Sequence, residues 1–175
     1  MPTPERTSLA EIVAAGRSIL ESAGPAKLTM HAVAEQVGVR APSLYKRVRD
    51  RDALLTLVAE ETANDLARQL EASDGSIGGL ARTYRSFAHR YPQGFRLLFT
   101  ADGAEAAMAR AAVPVLRATG ELVGADAALD AARLLTAWAT GFVNMELSGS
   151  FRLGGDVEQA FAYGLERLTA ALGAR

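Results

Sequence analysis

Between Arg40 and Arg51 the chain sets five basic side chains (Arg40, Lys46, Arg47, Arg49 and Arg51) against one acid, Asp50. The whole chain has a formal net charge of −1, so this local excess of positive charge is a marked asymmetry. Contact with a row of phosphates would explain it, because Lys and Arg bind duplexes by displacing condensed counterions. Tyr45 stands inside the cluster with a hydroxyl that can reach a phosphate and a ring that can meet a thymine methyl. Catalytic chemistry is poorly provided for. The two histidines, His31 and His89, are far apart and there is no cysteine, which excludes thiol catalysis, a disulfide framework and a His-rich metal spacing. No Gly-rich phosphate loop and no Gly-x-Ser-x-Gly elbow is present. Asp102 and Glu105 suit solvated turn or helix positions. The reading is therefore of a binding protein with no cofactor or metal, and not of an enzyme.

The elements that must hold the basic cluster are helices. Apolar residues recur with a period near 3.6 and never in sustained alternation. Ser8 and Glu11 form a capping-box pair before a stripe of Leu9, Ile12, Val13, Gly16, Ile19, Leu20 and Ala23, and Gly24-Pro25 ends it. Thr29 is an N-cap for a short helix from Met30 to Val37 with Val33, Ala34 and Val37 inside. Gly38 supplies the positive φ that the turn Val37-Gly38-Val39 needs. A further helix is expected from about Arg40 to Val48, with Pro42 tolerated in its first turn. It presents Arg40, Ser43, Lys46 and Arg47 outward and turns Leu44 and Val48 inward. Helix, glycine turn and helix at these lengths make a helix-turn-helix. Asp50 caps a long helix from about Arg51 to Leu70. Later stripes predict helices ending at Pro92, over about 104–119 with Pro114 kinking or breaking it, over about 127–148, and over about 157–172. A short apolar piece is expected over 93–100.

Composition agrees with this all-α reading. The chain has 175 residues, 49% hydrophobic and 22% charged, with six prolines. No apolar run approaches the roughly 20 residues of a membrane span. The start, Met1 to Arg6, is polar and lacks a leader core, so a cytoplasmic protein is expected. The charge is unevenly split. Residues 1–55 carry 8 basic and 6 acidic side chains, and the remainder carries 11 and 14. A basic head sits on an acidic body.

The run Thr29-Met-His-Ala-Val-Ala-Glu-Gln-Val-Gly-Val-Arg-Ala-Pro-Ser-Leu-Tyr-Lys-Arg-Val-Arg-Asp-Arg-Asp-Ala-Leu-Leu resembles the DNA-binding signature of the tetracycline-repressor (TetR) family of bacterial transcriptional regulators. The likeness covers about residues 8–58. It implies a DNA-binding domain over 1–50 and a helical effector-binding and dimerisation domain over 51–175. By the same resemblance Arg40–Val48 is a recognition helix for the major groove, opening on Ala41 and Pro42. His31 is placed to reach a base or phosphate. Thr29, Tyr45, Lys46 and Arg51 match positions that contact the DNA backbone, and Ser43 and Arg47 lie nearer the bases. Val48 and Arg40 depart from the commonest residues of the family at their positions.

The segment from Trp138-Ala-Thr-Gly141 to Phe151, with Asp156 and Phe161 to Leu172, is similar to a C-terminal subtype of the family marked by a Trp followed by His-Gly. Thr140 stands at the His position. That similarity implies a homodimer built from the last two long helices and an effector pocket among the middle ones. Leu134, Ala137, Gly141 and Ser148, with Phe161, Leu165, Leu168 and Leu172, offer more apolar surface than one small domain hides. They form the expected dimer interface. Thr62, Leu66, Tyr84, Phe87, His89, Phe95, Phe99, Met108, Trp138, Phe142 and Met145 are the expected pocket lining for a small hydrophobic or amphipathic effector. Arg82, Arg85, Thr140 and Asn144 are candidate polar anchors. Glu146 reads as a helix-surface acid, with an arginine partner as the alternative. The expected function is a dimeric repressor that leaves a palindromic operator when the effector binds. The alternatives are a ligand-binding or interaction domain with vestigial DNA binding, and an activator of the same architecture.

Overall fold

The computed structural model describes residues 7–174, and the expectation for Met1 to Arg6 lies outside them. Among the described residues all regular structure is helical. Helix α1, Leu9–Ala23, starts on a complete capping box: the Glu11 N–H donates to Ser8 Oγ (3.1 Å) and the Ser8 N–H donates to Glu11 Oε2 (2.7 Å). It ends at Gly24, φ +81°. A 3₁₀ turn over Pro25–Lys27 leads to α2, Met30–Gln36, where Thr29 Oγ1 accepts the Ala32 N–H at 3.1 Å. Gly38, φ +72°, makes the turn into α3, Ala41–Leu44. Helix α4, Arg51–Glu71, starts where Asp50 Oδ1 accepts the Ala53 N–H at 2.8 Å. That bond first, and then the one from the Arg49 side chain, holds the Asp50 carboxyl below its ordinary range.

Two compact units divide the chain. The first holds the residues up to Asp65 together with Tyr91–Met108, and the second holds Leu66–Arg90 with Ala109 to the end. The expected boundary at residue 50 is a boundary of roles, whereas these are units of packing. In the first, Ile12, Leu20, Leu28, Val33, Leu44, Val48, Leu54 and Val58 form the core. Helix α1 crosses α4 at Gly16, where a Cβ would stand 2.9 Å from Val58 Cγ2. Helix α6, Pro92–Leu97, joins this unit through Glu21, whose carboxylate accepts the N–H groups of Gln93 (3.2 Å) and Gly94 (2.6 Å). An anion at these free N–H groups also meets the positive end of the helix dipole. The piece expected over 93–100 is thus a helix that begins earlier, on its proline, and ends earlier.

In the second unit a turn at 73–76 starts α5, Ile77–Arg90, and Ser76 Oγ accepts the Gly79 N–H at 2.9 Å. Helix α7, Glu105–Val123, belongs to this unit from Ala109 on; it does not end at Pro114, which rules out one of the two expected effects of that proline, and it stops at Gly124, φ +86°. Buried Thr119 bonds the Ala128 carbonyl at 2.9 Å, tying α7 to the start of α8, Ala128–Leu147. Helix α9, Val157–Gly173, starts on Asp156, which accepts from the Glu158 and Gln159 N–H groups.

Candidate nucleic-acid interface and the second helical unit

The expected recognition helix is shorter than its sequence suggests. Regular α-helix covers only Ala41–Leu44, and Tyr45–Arg47 continue as a turn. The Arg47 N–H bonds the Leu44 carbonyl at 2.8 Å, three residues back, and the Val48 N–H bonds the same carbonyl at 2.9 Å. The Arg47 bond is the tighter three-residue type that closes a helix, while at the other end Pro42 stands in the first turn and Arg40 at the cap position makes no side-chain capping bond. Leu44 and Val48 are buried as expected and anchor the element from beneath. Above them Arg40, Pro42, Ser43, Tyr45, Lys46 and Arg47 are exposed, with Ala41 half-buried. Tyr45 is 54% exposed, so its ring and hydroxyl are both accessible. His31 is exposed on α2, and Thr29 is engaged as its cap.

Arg49 and Arg51 are among the members of the basic cluster that bond other groups of the protein. Arg49 donates through Nε to Asp50 Oδ2 at 2.6 Å. Arg51, expected at a phosphate, is turned to the chain itself. Its Nε donates to the Leu28 carbonyl (2.7 Å) and its Nη2 to the Pro25 carbonyl (2.6 Å). The physical reason is that the carbonyls of Pro25 and Leu28, at the two ends of the 3₁₀ turn, fit the planar fork of a guanidinium. Arg40, Lys46 and Arg47 are exposed, and Arg49 keeps 84% of its side chain exposed beside Asp50.

The residues expected to line an effector pocket fall in both units. Thr62, Phe95, Phe99 and Met108 belong to the first, and Leu66, Tyr84, Phe87, His89, Trp138, Phe142 and Met145 to the second. Thr62, Leu66, Phe87 and Phe95 are buried. Phe99 and Met145 are about half exposed, at 51% and 45%. The sequence pattern groups Met145 with Leu135, Trp138 and Phe142, but the α8 stripe turns away from it and puts Glu146 inward in its place.

Glu146 is the main polar group of this unit that the sequence pattern misplaces. Its side chain is only 7% exposed, and Arg85 grips it with two bonds, Nε to Oε2 (2.8 Å) and Nη2 to Oε1 (2.7 Å). His89 Nε2 lies 3.2 Å from Oε2. Arg85 also bonds Glu158 and lies over the Phe161 ring, 4.7 Å from its centroid. Burial pushes the Glu146 carboxyl up, but the bonds from Arg85 and His89 outweigh it and hold the group below its ordinary range. The carboxylates raise the Arg85 guanidinium in turn, Glu146 most. A signal is present in the sequence: Leu135, Ala139, Phe142 and Glu146 share one helical face. Beside this pair, Tyr84 Oη and Thr140 Oγ1 are 2.8 Å apart, and burial pushes the phenol up to about 12.

An aromatic cluster adjoins the ion pair. Trp138 stacks on Phe161 at 5.1 Å and 25°, and Phe142 meets Phe161 at 5.2 Å and Phe151 at 4.8 Å. This corrects the expected dimer face. Phe161 and Leu165 are 1% and 8% exposed, held in their own subunit's core by Trp138 and its neighbours. Leu168 and Leu172 are not buried to that degree, whereas Leu134, Ala137, Gly141 and Ser148 of α8 are exposed. The exposed face of α9 is instead Ala160, Tyr163, Arg167 and Ala170.

A short helix, a glycine turn and a second helical turn that presents basic side chains over a buried floor define a helix-turn-helix protein. Residues 12–58 match the family model described as bacterial regulatory proteins, tetR family, and residues 77–168 match the tetracyclin repressor-like C-terminal domain. An uncharacterized HTH-type transcriptional regulator of Mycobacterium tuberculosis is 30% identical over 160 residues, covering 83% of this chain and 73% of the relative. A protein of unknown function from Rhodococcus sp. RHA1 shares the fold with a TM-score of 0.80 at 22% identity, over 98% of this chain and 96% of that one. A substituted TetR of Acinetobacter baumannii AYE, solved in complex with minocycline, has a TM-score of 0.70 at 23% identity, over 94% and 96% of the two chains. The chain belongs to the TetR family of transcriptional regulators, a family of DNA-binding proteins and not of enzymes. Among the described residues no helix is long and apolar enough to cross a membrane.

Proposed function

We propose that this regulator acts as a homodimeric repressor which binds a palindromic operator and releases it when a small hydrophobic or amphipathic effector occupies its C-terminal domain. The observation that carries the DNA-reading part is the surface of Arg40, Ser43, Tyr45, Lys46 and Arg47, exposed above the buried Leu44 and Val48. A single such surface is too small to select a site. Two related by a two-fold axis meet successive major grooves about 34–36 Å apart. The exposed α8 residues Leu134, Ala137 and Gly141 support the dimer. An added Cβ at Gly141 would meet nothing within 4 Å of its own chain, which leaves room for a partner helix to approach. The minocycline held by the Acinetobacter protein supports an effector role by analogy of fold.

Helix α4 links the two halves of this mechanism by covalent continuity, since it starts beside the reading head and ends at Glu71. An effector that favours a different setting of α4 changes the spacing of the two heads. Linkage then requires DNA to weaken effector binding by the same factor as effector weakens DNA binding. The test is selection of duplexes from a randomised library by the purified chain. Enrichment of an inverted repeat with half-sites about one helical turn apart is expected. Enrichment of single half-sites, or of nothing, would contradict the reading. A thermal-shift screen against the same protein then tests the effector, because a ligand that binds the folded state raises the melting temperature.

A further inference from the structure

The geometry points to Arg51 as a positioning residue that fastens the first turn of α4 to the segment leading into the reading head. This rests on the proposed DNA-reading function. Arg51 spans 23 residues to the Leu28 carbonyl through Nε and 26 to the Pro25 carbonyl through Nη2, at 2.7 and 2.6 Å. Both bonds use one planar fork, Nε and one Nη2 hydrogen, and together they fix the orientation of the guanidinium against the chain. The Leu28 side chain is fully buried, and the next residue, Thr29, is the cap of α2. The fork therefore grips the chain immediately before the helix-turn-helix begins.

The packing beneath the fork points the same way. Leu54 and Val58 of α4 approach α1 at Gly16, and Leu28 lies at the same place: a Cβ on Gly16 would be 2.9, 3.5 and 3.7 Å from Val58, Leu54 and Leu28 atoms. The start of α4, α1 and the approach to α2 are thereby joined by side-chain packing on the inside and by Arg51 on the outside. A displacement of the start of α4 carries Leu28 and Thr29 with it. The head then turns as one piece, which a regulator that works by re-spacing two heads requires.

Arg51→Lys and Arg51→Gln separate this from a phosphate contact. Lysine keeps the charge and can meet a phosphate, but it cannot reproduce the fork. Both variants are titrated by fluorescence anisotropy, over a range of salt, against the duplex that the wild-type chain selects. At temperatures well below their melting points both are expected to bind about tenfold more weakly than wild type with an unchanged salt slope. A merely stabilising role would lower the melting point and leave affinity below it unmoved. A phosphate role would give a Lys variant that binds as wild type does and a Gln variant whose slope falls by about 1.8 for two lost contacts; either result overturns the proposal. Amide exchange over residues 28–33 reads the fastening without DNA. Faster exchange there in both variants is expected, and unchanged exchange overturns it. If the wild-type chain selects no duplex, the DNA-reading proposal fails, and the exchange measurement still decides the role of Arg51.

Discussion

At position 164 only a hydrogen atom fits. A Cβ there would stand 2.6 Å from Cζ2 of Trp138, the ring that stacks on Phe161. Gly164→Ala must push the indole out of its stack, and overpacking of this kind costs about 1–3 kcal/mol. Thermal melts should show the loss, with indole fluorescence shifted by a changed environment. Glu146 gives a second residue-level prediction, read from pH. Its folded carboxyl lies below the ordinary 4.5, so its ionised form stabilises the fold. That contribution is fully present above pH 4.5 and is lost as pH falls through the lower, folded value. Denaturant titrations of wild type and Glu146→Gln should therefore differ most near neutrality and converge in acid. A difference that does not change with pH would show that Glu146 acts through its shape alone. Neither residue is legible as important in the sequence. Gly164 is one glycine in a helical stripe, and its meaning comes from a ring on the preceding helix. Glu146 is easily misplaced because a carboxylate in a helix is usually solvated, and the partner that makes burial tolerable, Arg85, lies on another helix.

Helix ends are the most legible feature at the next scale, because each has a local cause. Ser8 with Glu11, Thr29 and Gly24 stand in the structure as caps and stops where their types require. Gly38 is the sharpest of these, with φ +72° and nothing near an added Cβ. Gly38→Ala therefore tests backbone conformation without a clash. It should cost about 1–2 kcal/mol and lower DNA affinity by misaligning α2 and α3. A melt and an anisotropy titration of the variant check the two effects separately. What the pattern overstates is the length of α3. The Val48 N–H keeps an α-type bond to the Leu44 carbonyl, so both side chains stay on one face although the chain tightens at Arg47, and periodicity does not reveal the tightening. The continuity of α7 through Pro114 escapes the pattern for a related reason: a proline's effect in a helix depends on how its neighbours take up the lost bond.

For the molecule as a whole, the division of charge is legible in the sequence, and the packing that supports it is not. The basic surface of Arg40, Lys46, Arg47 and Arg49 is small, and Arg51 bonds the Leu28 and Pro25 carbonyls. Affinity should then depend on two small patches placed by the dimer. The dimer is tested at Gly141. Gly141→Glu should dissociate it by placing unpaired charges at the partner's approach, and sedimentation of the variant reads this directly. A variant that remained dimeric would put the interface elsewhere. The most direct test of the central claim is an anisotropy titration of the selected duplex with wild type, Tyr45→Ala and Lys46→Ala over a range of salt. Weaker binding by both variants is expected, with the salt slope of Lys46→Ala reduced by about 1.8 for a dimer, and dimerisation unchanged. Binding by both variants with the affinity and slope of wild type would contradict it.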